Sequence, residues 1–161
     1  MSTATLEKKP PTVGMSQIVF LEQTETAHSV FGSCIALTLF HARRKVAAFA
    51  HIVLPHSSGR QGQPGKFADT AIPFMINELT RRGAKTSGLI AKMCGGASMF
   101  GGGGPIQIGE ENAAAVTTIL EELKIPILGR HLGGAKGRRV TFDCATGDVT
   151  IEIVGQPVEV I

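Results

Sequence analysis

The sequence predicts a layered α/β fold: mostly antiparallel strands, with two main helices on one sheet and a second strand layer behind it. Three observations lead there. Residues 69–82 and 110–124 carry apolar side chains at helical spacing. The other apolar runs are short and end at Gly, Pro or polar breaks, as strands do. Neither of the two central runs, residues 35–40 and 45–54, alternates cleanly, so both of their faces must be covered.

The elements follow in order. Residues 1–14 read as a disordered leader, with Lys8-Lys9-Pro10-Pro11 blocking regular structure. Residues 15–161 then read as a single domain, in keeping with the 161-residue length. Strands are expected at 17–22 and 27–31. The runs 35–40 and 45–54 form a hairpin around the polar break His41-Ala42-Arg43-Arg44. Residues 55–67, rich in Gly, Ser, Pro and Gln, are a loop. Asp69 is the expected cap of a helix that stops at Gly83, with Ile72, Met75, Ile76 and Leu79 as its buried stripe. A strand at 88–93 precedes a glycine-rich stretch. The second helix, 110–124, should turn Val116, Ile119, Leu120 and Leu123 inward. Strands at 126–131, 139–143 and 149–154 follow, the last two joined by a Thr146-Gly147-Asp148 turn.

Composition narrows the function. A 43% apolar fraction suits a packed core, built without Trp or Tyr. The net charge of +3 is spread over pairs such as Arg43-Arg44 and Arg138-Arg139 rather than one basic stripe. With few aromatic residues to stack on bases, nucleic-acid binding is not expected. The cysteines, Cys34, Cys94 and Cys144, are odd in number and form no CxxC pattern. No secretory signal and no membrane-length apolar run is visible, so a cytoplasmic protein with free thiols is expected.

One of those thiols stands out. With a loop at 41–44, Phe40 faces Lys45 and paired residue numbers sum to 85. Cys34 then lies opposite His51, on the same face of the sheet. An imidazole beside a thiol can take its proton and leave a nucleophilic thiolate, which attacks an amide carbonyl. The same imidazole can return the proton to departing ammonia. Gly32 and Ser33, just before Cys34, are small, so their backbone can approach a substrate and support the oxyanion. The plainer reading is a packed cysteine and a structural histidine.

The residues around this pair resemble the chemoreceptor glutamine deamidases, the CheD family. The likeness runs through Phe31-Gly32-Ser33-Cys34-Ile35-Ala36 and Ala50-His51-Ile52-Val53-Leu54-Pro55. It continues through Lys66-Phe67-Ala68-Asp69 and the segment from Lys92 through Cys94, Gly95 and Gly96 to Phe100. Ile108-Gly109-Glu110-Glu111-Asn112 and Gly133-Gly134 with Gly137-Arg138 complete it, over roughly residues 15–155. The resemblance implies an α/β/β sandwich and a single deamidase-like domain. It implies Cys34 as nucleophile and His51 as general base, acting on receptor glutamines without a cofactor. It also implies two partners: the cytoplasmic helices of chemoreceptors and, in some lineages, a CheC-type phosphatase.

The sequence departs from the family at one place. Where the family commonly has a threonine as third member, six residues before the cysteine, His28 stands. The job is to orient the imidazole, which a backbone carbonyl also does. His28, through ring or carbonyl, or nearby Thr26 or Ser29, is the candidate. The same departure motivates an alternative: a non-catalytic chemotaxis regulator that keeps the fold and the partner surface. A third reading is a thiol hydrolase acting on a small amide. The Gly101-Gly102-Gly103-Gly104 run lacks the Lys-Ser/Thr of a phosphate loop. His41, His51 and His56 lack metal-ligand spacing, so no metal is expected.

Overall fold

The structure, a computed structural model, describes residues 11–98 and 107–161. The Gly101–Gly104 run and residues 1–10 of the expected leader lie outside the described residues. The chain order is β1 (Ile18–Glu22), β2 (Thr26–Phe31), β3 (Ile35–His41), β4 (Val46–Ile52), α1 (Ala68–Arg81), β5 (Leu89–Gly95), α2 (Ile108–Glu122), β6 (Ile127–Leu132), β7 (Arg138–Asp143), β8 (Asp148–Glu152) and β9 (Glu159–Val160). A short 3-10 turn, Pro64–Lys66, interrupts the expected loop.

Two sheets form. The larger runs β1-β4-β3-β5-β6, and the smaller β2-β7-β8-β9. Among the described residues the ladders between named strands are antiparallel except β5 with β6. On one face of the larger sheet, Ile35, Leu37, Leu39, Ala48 and Ala50 pack against Ile72, Met75 and Leu79 of α1 and Val116 and Leu120 of α2. On the other face, Ala36, Phe40, Ala47 and Phe49 pack against Ala27, Phe31, Val140 and Phe142 of the smaller sheet. The layers are therefore α/β/β, as expected. Every residue of β3 and β4 is buried. This is why those runs do not alternate: a strand covered on both sides has no solvent face to mark with polar residues.

The hairpin register differs from the expectation. His41 stays in the strand and faces Val46, Ala36 faces His51, and Ile35 faces Ile52, so paired numbers sum to 87. The four-residue turn is 42–45. His41 is buried, and its Nδ1 accepts the Arg44 N–H at 3.1 Å, which closes the turn. Lys45 takes the left-handed conformation, φ 52°. Sliding a four-residue turn by one position moves the register by two. Every side chain therefore keeps its face. Cys34 and His51 still share a face, but as diagonal rather than direct neighbours.

Other expectations are corrected in detail. Asp69 does not cap its helix, which starts at Ala68 after Phe67. Its carboxylate instead accepts the Ser57 N–H at 3.0 Å and ties down the preceding loop. In α2, Val116 and Leu120 are buried but Leu123 is 42% exposed; the inward face is completed by Asn112 and Ala115. The two-residue β9 had no signal in the sequence pattern. Residues 11–14, taken as leader, run beside β2: Val13 N–H donates to His28 O at 2.9 Å, and His28 N–H donates to Pro11 O at 3.1 Å.

The α2 correction is measurable by urea unfolding. Leu120→Ala should cost about 2–5 kcal/mol, as for other buried leucines. Leu123→Ala should cost under about 1 kcal/mol. Equal losses would contradict this orientation of the helix.

Candidate active site

The site forms where the chain passes between the two sheets. β2 belongs to the smaller sheet and β3 to the larger, so Gly32-Ser33-Cys34 is the bridge between layers. Cys34 is 8% exposed and joins the inter-sheet core. His51 comes from β4, is 4% exposed, and faces the same side. Diagonal neighbours on an antiparallel pair lie roughly 7–8 Å apart. An imidazole ring reaches most of that distance.

Three contacts hold the ring. Its face lies against Phe31, with centroids 4.1 Å apart. Its Nδ1 is 3.0 Å from the Val13 carbonyl oxygen. Ser29 Oγ lies 3.4 Å from the same nitrogen. A carbonyl oxygen can only accept, so Nδ1 carries the hydrogen. In the neutral ring this leaves the lone pair on Nε2, the tautomer a general base needs.

The orienting group is thus a backbone carbonyl, from a segment expected to be leader. Nothing in the sequence marks Val13 for that role, because any residue has a carbonyl. His28 contributes at one remove. Its ring lies 3.3 Å from Thr12 Oγ1, away from His51, while its own carbonyl accepts from Val13 N–H and so positions Val13. Ser29, on the inward face of β2, approaches His51; Thr26 pairs with Asp143 at the far end of the strand.

Behind Cys34 the backbone is crowded. Gly95 and Gly96 end β5 with φ of 112° and 65°. A Cβ at Gly95 would run into the Cys34 carbonyl oxygen, so only glycine fits there. Ala97 N–H donates to Gly32 O at 2.9 Å, and Gly133 N–H donates to Gly95 O at 2.9 Å. Arg138, 3% exposed, donates to the carbonyls of His131, Gly133 and Lys136 and fixes the neighbouring loop.

From α2, Asn112 reaches the same place. Its side chain is fully buried, and its Nδ2 donates to Ser33 O at 3.0 Å and Val53 O at 2.9 Å. Its Oδ1 has no partner among the described residues. An unpaired buried acceptor costs about 1–3 kcal/mol, so two donated bonds are kept against a real penalty. From sequence Asn112 stands only within a motif; its place four residues before Val116, in line with the expected inward stripe, was the signal available.

Electrostatics make the pair neutral at rest. Burial pushes the Cys34 thiol above its ordinary value. Burial pushes His51 below its ordinary value, partly opposed by the bond to Val13. Both shifts disfavour charge, so burial favours a neutral thiol and a neutral imidazole over a thiolate–imidazolium pair. The other thiols are less available still: burial pushes Cys94 up to about 12 and Cys144 up to about 11.

Comparison with known proteins gives a consistent picture. The family described as CheD chemotactic sensory transduction matches residues 53–153, a span that includes Gly95 and Asn112 and begins after His51. The chain is 44% identical over 135 residues to a probable chemoreceptor glutamine deamidase CheD of Desulforamulus reducens, covering 81% of each chain. It is 43% identical over 129 residues to the protein of the same description from Clostridium botulinum strain Hall, covering 77% of this chain and 80% of the relative.

The neutral pair has a direct signature in ultraviolet thiolate absorbance, taken as wild type minus Cys34→Ala. The midpoint of Cys34 thiolate formation should lie above pH 9, because burial raises the thiol from 9.0. A thiolate already present at pH 7 would contradict a neutral resting pair. His51 sets a second signature. As pH falls through 6.5, unfolded histidine gains a proton while folded His51 resists it. Folding stability should therefore decline below pH 6.5, and His51→Gln should flatten that part of the profile.

Proposed function

Because the chain belongs to the CheD family, we propose that it deamidates glutamine side chains of chemoreceptors, with Cys34 as nucleophile and His51 as general base. The names of the relatives support the reaction and its substrate. The observation that carries the mechanism is the hydrogen bond from His51 Nδ1 to Val13 O, which leaves Nε2 as a base on the face that Cys34 occupies.

The steps balance as follows. Nε2 takes the Cys34 thiol proton as sulfur attacks the carboxamide carbon, and the carbonyl electrons move onto oxygen. The oxyanion collapses, and His51 gives its proton to the departing nitrogen, which leaves as ammonia. Water, deprotonated by Nε2, attacks the thioester. Collapse of this second intermediate releases glutamate and restores the thiol. Consumption of one water and release of one ammonia convert glutamine to glutamate, with no cofactor in any step.

A protein substrate presents the reacting carboxamide at the end of a long side chain, away from the helix that carries it. The family likeness supports cytoplasmic receptor helices as that substrate, a CheC-type phosphatase as a further partner, and a cytoplasmic location. No helix among the described residues is long and apolar enough to cross a membrane.

Mass spectrometry of a receptor cytoplasmic fragment tests the proposal. Wild-type protein should produce amide-to-acid conversion at particular glutamines. Cys34→Ala should abolish it, and His51→Ala should slow it by about 10²–10⁴-fold, the usual contribution of a general base. Equal conversion by wild type and Cys34→Ala would rule the mechanism out. Binding of the fragment with no conversion by wild type would favour the regulatory binder, the reading that His28 at the threonine position first suggested.

A further inference from the structure

The ladder between β3 and β5 breaks at Cys34. In an antiparallel hydrogen-bonded pair the two residues exchange both bonds. Gly96 N–H donates to Cys34 O at 3.0 Å, but no acceptor meets the Cys34 N–H among the described residues. The left-handed turn at Gly95-Gly96 is the cause. It swings the Gly96 carbonyl towards α2, where a Cβ on Gly109 would run into the carbonyl oxygens of Gly96 and Ala97. Among the described residues a backbone donor is thus left free beside Cys34.

Asn112 determines where that donor points. Gly109 and Asn112 are three residues apart, on one face of α2. The glycine lets the helix end come close, and the asparagine then reaches Ser33 O. In a trans peptide the C=O and N–H point in opposite directions. Holding Ser33 O towards α2 aims the Cys34 N–H away from the helix, to the side where Cys34 and His51 face the inter-sheet core. Through Val53 O the same amide holds the chain just after β4, so one side chain ties the nucleophile's peptide to the base's strand.

We propose that Asn112 is a positioning residue of the reaction: it fixes the Ser33–Cys34 peptide so that the Cys34 N–H receives the oxyanion. This deepens the functional reading and rests on its assignment of Cys34 as nucleophile. When sulfur bonds to the carbonyl carbon, the carbonyl pair moves to oxygen, and that oxygen accepts from Cys34 N–H. The bond is strongest in the intermediate, where the negative charge is, so its effect falls on the chemical step.

Two reagents separate this role from a merely structural one. Acylation of Cys34 by p-nitrophenyl acetate passes through a tetrahedral oxyanion. Alkylation by iodoacetamide displaces iodide at a saturated carbon and forms none. Asn112→Ala and Asn112→Asp should lower the acylation-to-alkylation ratio at Cys34 at least about tenfold, part of the roughly 10²–10³-fold that losing an oxyanion donor costs. An unchanged ratio, or equal loss of both rates, would overturn the proposal. Wild-type protein gives a second test that needs no variant to fold. Propanal adds to Cys34 as a hemithioacetal, and the Cys34 amide proton should then move downfield in the NMR spectrum. An unmoved amide would also overturn it. Neither readout requires receptor deamidation, so a wild type that fails on receptor fragments counts against the functional reading alone.

Discussion

The hydrogen bond between His51 Nδ1 and the Val13 carbonyl, 3.0 Å long and buried, is the constraint on which the site depends. It settles which nitrogen of the ring is free. It also lies where three parts of the chain meet: the segment before β1, β2 of the smaller sheet, and β4 of the larger. Val13 is held by His28 on β2, and the residue after Met15, Ser16, donates its N–H to His51 O at 2.9 Å. The ring is therefore gripped from its side chain and its own backbone by residues close together in sequence. Loosening that segment would free the imidazole to rotate and lose its tautomer.

The second constraint is crowding. The two sheets pack close enough to bury Cys34 and His51, and burial alone moves both groups towards neutrality. In the proposed reaction the proton therefore moves during attack, and the oxyanion needs support at that moment. Beside Cys34 the glycine turn at Gly95-Gly96 crowds its carbonyl and the amide of Asn112 holds the Ser33 carbonyl, the arrangement proposed to present the Cys34 N–H to that oxygen. Arg138 does comparable work for the next loop, satisfying three carbonyls with one guanidinium, although its Nε has no partner among the described residues.

Much of this was legible from residues alone. Apolar periodicity located α1 and its stripe, because Ile72, Met75 and Leu79 are fully buried on one face. The unalternating runs around His41 announced a strand pair covered on both sides. Parity carried the Cys34–His51 expectation even though the turn was misplaced, since a two-step register change preserves faces. What was not legible depends on backbone atoms or on tertiary contacts. Val13 acts through a carbonyl that every residue has. His41 looks polar enough for a turn, but its ring nitrogen has a buried role. Leu123 has the right spacing for the core, yet the helix ends before it.

The central claim concerns a tautomer, and nitrogen-15 NMR of the histidine rings reads it directly. At neutral pH His51 should show a protonated Nδ1 and a bare Nε2, with the assignment checked by loss of the signal in His51→Gln. A ring protonated at Nε2, or at both nitrogens, would contradict the account.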